Sequence, residues 1–276
     1  MTTVGDVCRW MKQLAPLELS EPWDNTGLLL GDPGDPVSRV QTCLTLTSES
    51  TAEAIDQCAN LVIVHHPLLF KPVKSITTAT AQGKLLWQLA RSGISVYSPH
   101  TAWDSAEAGI NAMLAERLKL REVRPLIPAN LDGNQTLGAG FPLSSVCQLG
   151  AGRLGLLSEA MEIRQFAAQV KSLLPESRTR GVDSGRPVRR IAIACGSGGS
   201  LLSAAIQANC ELFLTGEATF HTCMEAQAAG VSMLLIGHFA SERFSLVELA
   251  QQLHRHFPEL TCWASHREAD PVVSFT

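Results

Sequence analysis

Leu61-Val62-Ile63-Val64-His65-His66-Pro67 is the stretch that decides the fold. Four consecutive aliphatic residues read as a strand, and two histidines follow it without a spacer. The same order recurs along the chain. Ile94-Ser95-Val96-Tyr97 leads to Pro99-His100 and on to Asp104, and Val231 to Ile236 leads to Gly237-His238 and on to Glu242. Leu212-Phe213-Leu214 is followed by Glu217 and His221, so five of the eight histidines lie close behind an apolar run. In an open parallel sheet the strand ends converge on one crevice, where ligands bind. Imidazoles and carboxylates remote in sequence can therefore meet there as a metal site.

Outward from this stretch, strands and helices alternate. Thr3 is placed to cap a helix through about Ala15, with Val4, Val7, Cys8, Met11 and Leu14 at helical spacing. Glu21 to Gly27 is rich in turn residues and precedes the short run Leu28 to Gly31. Strands are expected at 40–46, 61–64 and 94–98, and helices at 49–58 (capped by Thr47 or Ser48), 81–92 and 107–118. The middle is Gly- and Pro-rich, with Gly138-Ala139-Gly140 and Gly150 to Gly155 read as loops and short strands. A helix is expected at 161–174, with Ser158 as its cap. Alternation resumes with strands at 191–194, 211–214 and 231–236, and helices at 199–208, 218–229 and 242–256. Such alternation implies an α/β fold with mainly parallel sheets. The expected organisation is two similar α/β lobes, 1–120 and 187–276, joined by a segment at 121–186, with the metal site in the cleft between them.

The totals narrow the function classes. At 276 residues the chain can build a sizeable core without disulfides or structural metal. The net charge is −4 and no lysine or arginine block is present, which argues against nucleic acid as a partner. No apolar run approaches the length that spans a bilayer, so no membrane role is expected. Eight dispersed cysteines without a Cys-x-x-Cys pair point to free thiols and a reducing cytoplasm.

Each motif has two readings. Adjacent residues on an extended segment point opposite ways, so His65 and His66 serve two metals, or one metal and one structural hydrogen bond; the competing reading is two polar loop residues. His238 and Glu242, four apart, share a helix face if a helix starts near Phe239, against a plain role for Glu242 at a helix N-terminus. Asp104 is either a ligand or a helix cap, and His100 a proton carrier, a supporting residue or a packed loop histidine. Gly196-Ser197-Gly198-Gly199 suits an anion or a close helix–sheet turn, and without a P-loop lysine the turn is favoured. Glu217 and His221 repeat the four-residue spacing, with roles facing substrate or behind the ligands. Neutral imidazole and carboxylate suit Zn, Fe, Co, Ni or Mn.

These residues carry a resemblance. Pro22-Trp23-Asp24-Asn25-Thr26-Gly27-Leu28, Val64 to Pro67, Ser98 to Asp104, Ala194 to Gly198, Leu214 to Glu217 and Gly237 to Glu242 together resemble the dinuclear-metal family named for the yeast NGG-one-interacting factor three, whose members are often labelled GTP cyclohydrolase type-two homologues. The resemblance implies two divalent ions held by His65, His66, Asp104, His238 and Glu242, with Glu242 bridging. It also implies two similar lobes and a toroidal homohexamer. Residues 121–186 are too short for the inserted domain that some relatives carry. The chain departs from the pattern at Thr219-Phe220-His221, where relatives commonly have paired histidines.

Two functions follow as expectations. One is a metal-dependent hydrolase in which activated water attacks a nucleotide-like heterocycle, with His100 or Glu217 moving protons. The other is a non-catalytic metal carrier, sensor or interaction scaffold.

Overall fold

A computed structural model describes residues 1–129 and 148–273. Gly138-Ala139-Gly140 lies outside the described residues. In chain order the first elements are α1 (Val4–Leu14), β1 (Gly27–Leu30), β2 (Arg39–Cys43), α2 (Ser48–Asp56), β3 (Leu61–Val64), α3 (Ala81–Arg91), β4 (Ser95–Ser98) and α4 (His100–Ser105). There follow α5 (Ile110–Arg117), β5 (Arg121–Arg124), β6 (Ile127–Pro128), β7 (Gly150–Ala151), β8 (Arg153–Met161), α6 (Ile163–Leu173), β9 (Arg180–Val182) and β10 (Val188–Ala194). The last are α7 (Leu202–Gln207), β11 (Leu212–Thr215), α8 (Phe220–Ala228), β12 (Ser232–Leu235), α9 (His238–His256) and β13 (Thr261–Ala264).

Packing divides the chain into two compact units, Met1–Ala102 with Ser245–Thr276, and Trp103–Phe244. This division differs from the sequence segments 1–120, 121–186 and 187–276. The reason lies in strand pairing: β13, from the end of the chain, pairs in parallel with β2, and β8, from the middle, pairs with β10. The boundaries fall inside α4 and α9.

The first unit holds a sheet ordered β1-β4-β3-β2-β13, parallel except for the antiparallel β1 edge. Val62, Val64 and Val96 pack with Ala54 of α2 and Leu89 of α3 on one face. Helix α1 buries Val4, Val7, Cys8 and Met11. Its start is fixed by a reciprocal cap: Asp6 N donates to Thr3 Oγ1 (3.2 Å) and Thr3 N donates to Asp6 Oδ2 (2.9 Å). Thr47 and Ser50 cap α2 in the same way.

The second unit holds a sheet ordered β5-β8-β10-β11-β12-β9. Its core trio β10, β11 and β12 is parallel, while β5, β8 and β9 join antiparallel, so parallel pairing is confined to the trio. Period-two alternation sorts the side chains. Ile191, Ile193, Leu212, Leu214 and Leu234 face Leu114 of α5 and Phe166 of α6. Ala192, Phe213, Met233 and Leu235 face Leu202 and Ala205 of α7 and Ala226 of α8. Residue Ser158 lies within β8 and does not cap α6; Glu162 does, in a capping box with Gln165. Buried Arg153 donates to the carbonyls of Gly150 (2.8 Å), Gly152 (2.7 Å) and Ala106, which ties the end of α4 to β7 and β8. Among the described residues no helix is long and apolar enough to cross a membrane.

Glu53 secures the returning C-terminal segment. At 3% exposure it accepts from Ser265 Oγ (2.5 Å), His266 N (3.0 Å) and Arg267 N (3.0 Å). Burial pushes its carboxyl up, but the bonds from His266, Ser265 and Arg267 outweigh that and bring it below the usual 4.5. A lowered folded pKa means stability that is complete above the unfolded value and lost as pH falls through the folded one. Glu53→Gln is expected to cost about 1–3 kcal/mol at neutral pH by urea unfolding, because an amide cannot accept all three bonds. The gap between wild type and variant should shrink below about pH 4; a gap that persists there would contradict this assignment.

Candidate metal centre

In the first unit the ladder between β2 and β3 runs past the strands. His65 N donates to Cys43 O (3.0 Å), His66 N to Leu44 O (2.9 Å), and Ser98 Oγ to His65 O (2.7 Å). The chain bends at His65 and His66. The two rings therefore do not take the opposite directions of an extended segment; their centroids lie 5.1 Å apart. The ring of His100 is 5.2 Å from that of His65 and 5.8 Å from that of His66. One ligand-type atom from each of the three lies within 4.8 Å of the others. His65 is buried, and the other two are partly exposed.

Two of these rings are held by oxygen at Nδ1. His66 Nδ1 shares a hydrogen bond with Thr45 Oγ1 (2.8 Å). His100 Nδ1 donates to Asp24 Oδ1 (2.7 Å), while Asp24 Oδ2 accepts from Thr101 N (3.2 Å) and from the Thr101 hydroxyl. The Asp24 side chain is fully buried. Burial raises its carboxyl, yet the hydrogen bonds from His100 and Thr101 prevail and hold it at about 2. His100 has φ +30°, a backbone costing of order 1 kcal/mol or more that survives only where its surroundings over-determine it. Asp24 supplies that restraint. Asp24 was legible in the sequence as part of a turn-rich segment and of the resembling stretch Pro22 to Leu28, but no spacing ties it to His100.

In the second unit the ladders also overrun. Glu217 N donates to Gly196 O (3.0 Å), Ile236 N to Thr215 O (3.1 Å) and Gly237 N to Gly216 O (2.9 Å). Helix α9 opens at His238, which puts Glu242 one turn along on the same face, with His238 Nε2 3.1 Å from Glu242 Oε2. His238 Nδ1 donates to Glu217 Oε1 (3.0 Å), which also accepts from Ser197 Oγ (2.6 Å). Hydrogen bonding to Glu242, opposed by burial and helped by Glu217, raises His238 to about 9. Bonds from Ser197 and His238 lower Glu217. Ser241 Oγ accepts from Gly196 N (2.9 Å) and donates to His238 O (2.8 Å), locking the first turn of α9 to the loop after β10.

Asp104 lies inside α4 and not at a helix N-cap. Asn111 Nδ2 donates to the Asp104 carbonyl (3.0 Å), and Asn111 Oδ1 accepts from Cys195 N (2.8 Å). Burial pushes the Cys195 thiol well up, and the carboxylates of Glu242 and Asp104 push it further. The glycine-rich turn is a close-packing device: a Cβ on Gly198 would lie 2.4 Å from Ala194 Cβ. His221 sits exposed at the start of α8, and the imidazole that Glu217 meets is His238.

The donor set fits a divalent cation. Imidazole nitrogen and carboxylate oxygen are the ligands that borderline ions take. Histidines that hold metals commonly give their second N–H to a carboxylate, and His238 gives its Nδ1–H to Glu217. The space is also preserved: Gly196 has φ +64°, and a Cβ there would lie 2.1 Å from Glu242 Oε1 and 3.4 Å from His238 Nε2. Gly196→Ala is expected to lose stability by more than the 1–2 kcal/mol or so that a left-handed alanine costs. Gly185→Ala is the control, because Gly185 has φ +71° with nothing within 4 Å of its Cβ. Equal losses in urea unfolding would contradict the reading of Gly196 as a spacer for Glu242.

Comparison with known proteins agrees with the fold. The chain is 30% identical over 273 residues to a Clostridium perfringens protein named GTP cyclohydrolase 1 type 2 homolog, covering 99% of each. It is 30% identical to the Schizosaccharomyces pombe protein NIF3 homolog, covering 93% of this chain and 92% of that one. A crystal structure of a Staphylococcus aureus protein superposes with a TM-score of 0.85 at 27% identity, covering 99% of both chains. A Bacillus cereus protein described as related to NIF3 shares the fold, with a TM-score of 0.85 at 24% identity over 99% of both chains. The family model described as Duf34/NIF3 (NGG1p interacting factor 3) matches residues 2–271, and the chain belongs to that family.

Proposed function

We propose that the protein is a dinuclear divalent-metal hydrolase acting on a nucleotide-like heterocycle. His65, His66, Asp104, His238 and Glu242 would hold the two ions, with Glu242 common to both. The observation that carries the reading is His238, set between Glu217 at Nδ1 and Glu242 at Nε2, beside a glycine whose missing Cβ leaves room for them. When bound, two divalent ions would lower the pKa of water towards neutrality and offset developing negative charge.

The remaining residues orient ligands and move protons. Glu217 fixes the His238 tautomer with the proton on Nδ1, presenting Nε2, and Ser197 holds Glu217 in turn. Thr45 steers His66 through Nδ1. Asp24 keeps the His100 proton on Nδ1, so Nε2 is the atom that accepts a proton from water or returns one to a leaving group. The substrate class follows from relatives named GTP cyclohydrolase 1 type 2 homolog. The native ion is one of Zn, Fe, Mn, Co or Ni. A toroidal homohexamer in a reducing cytoplasm completes the reading, consistent with the free thiols of Cys8, Cys58, Cys195, Cys210, Cys223 and Cys262.

Metal analysis after dialysis tests the ligand roles. Glu242→Gln should lose both ions and His66→Ala mainly one; full occupancy in both variants would refute the sharing of Glu242. Glu217→Gln should retain the ligands but weaken metal affinity by about 10–100-fold. For activity, protein stripped and reloaded with each ion is assayed on GTP, phosphoesters and cyclic amides. Turnover by at least one loaded form is expected. None with any form would leave metal carriage or scaffolding as the function.

A further inference from the structure

Two large aromatic side chains stand in water beside the cluster of His65, His66 and His100, and neither belongs to its ligand-type groups. Trp23, in the turn before β1, is 58% exposed, and Phe70, in the loop after β3, is 46% exposed. Their ring centroids lie 5.8 Å apart at an interplanar angle of 60°. Both also meet His100, Trp23 at 6.2 Å and 75° and Phe70 at 6.3 Å and 83°. The aromatic pair is therefore continuous with the imidazoles of the first unit. Hydrogen bonds fix this placement. Asn25 Nδ2 donates to Leu69 O (2.5 Å), which ties the two segments together beside their aromatic residues. Asp24 N donates to Glu21 O (2.9 Å) and Glu21 N to Thr101 Oγ1 (3.0 Å), so the turn that carries Trp23 is pinned to α4.

Aromatic side chains left in water next to a polar cluster offer π-faces and apolar area to a planar ring. Such stacking tolerates many rings, because every planar heterocycle has a π-face of its own. Phe220 is the contrast: it is 75% exposed at the start of α8, and its ring contact is with exposed His221. We propose that Trp23 and Phe70 form a stacking platform for the ring of a planar aromatic heterocycle of the purine type, and that they set specificity for it. The identity of that ring as substrate rests on the hydrolase reading; the platform itself is tested by binding alone. A ring stacked there lies beside His100, the group that would exchange its proton.

Three probes isolate the ring: GMP, AMP and ribose 5-phosphate share a sugar and a phosphate, so any contribution from those groups cancels between them. Titration of the full-length protein by calorimetry should show both purine nucleotides binding about tenfold more tightly than ribose 5-phosphate. Trp23→Leu and Phe70→Leu should each cut that ratio about threefold or more, because leucine keeps an apolar side chain without the ring. Trp23→Phe should retain most of it, and Phe220→Leu all of it. A ratio near one in the wild type, no binding of either nucleotide at millimolar concentration, or a ratio unchanged in both leucine variants would each overturn the proposal. So would self-association in sedimentation velocity that Trp23→Leu abolishes while the ratio stands, which would give this face to a second copy of the chain. No turnover enters these measurements: a metal-loaded protein that hydrolyses nothing would sink the hydrolase reading and leave the ring preference intact.

Discussion

Parallel backbone ladders that run on past their strands are the constraint from which the candidate site follows. Once β2 and β3 are in register, the next amides are committed, and His65 N and His66 N bond to Cys43 O and Leu44 O. The trio β10-β11-β12 behaves alike, with Glu217 N on Gly196 O and Gly237 N on Gly216 O. The register is set by strands buried on both faces, where a slip of one residue would turn every apolar side chain to the wrong side. The histidines and acids therefore inherit their positions from the hydrophobic core, and no loop has to order itself to place them.

Fine orientation comes from a second layer of oxygen atoms. Asp24 holds His100, Glu217 holds His238 and Thr45 holds His66, each through Nδ1. Both carboxylates sit below their ordinary pKa in consequence. The close approach of Gly196 and Gly216 to the first turn of α9 is the steric counterpart: a Cβ on Gly216 would lie 2.6 Å from Ser241 Oγ and 3.0 Å from His238 Cα. This density leaves little play at His238 and Glu242, as a site that must hold ligand atoms to fractions of an ångström requires.

Much of this was readable from the sequence, and the failures have physical causes. Runs such as Leu61–Val64 were unambiguous because aliphatic residues bounded by polar ones have few alternatives, and Thr3 and Thr47 marked helix starts through caps that act locally. The nine-residue β8 was missed because the glycines just before it and at Gly155 read as loops and short strands, while its pairing with β5 and β10 is a tertiary fact. Likewise the pairing of β13 with β2 and the bond from Ser265 to Glu53 join positions more than two hundred residues apart, which no window detects. At the site, histidines behind strands announced themselves. Asp24 did not, because its role depends on a backbone at His100 that nothing local dictates.

Anomalous scattering from crystals of the protein soaked in Mn or Zn tests the central claim most directly. The account predicts two anomalous peaks per chain, bonded among His65, His66, Asp104, His238 and Glu242, with both peaks in contact with the Glu242 carboxylate. Peaks only elsewhere on the molecule, or none at these side chains at saturating metal, would contradict it.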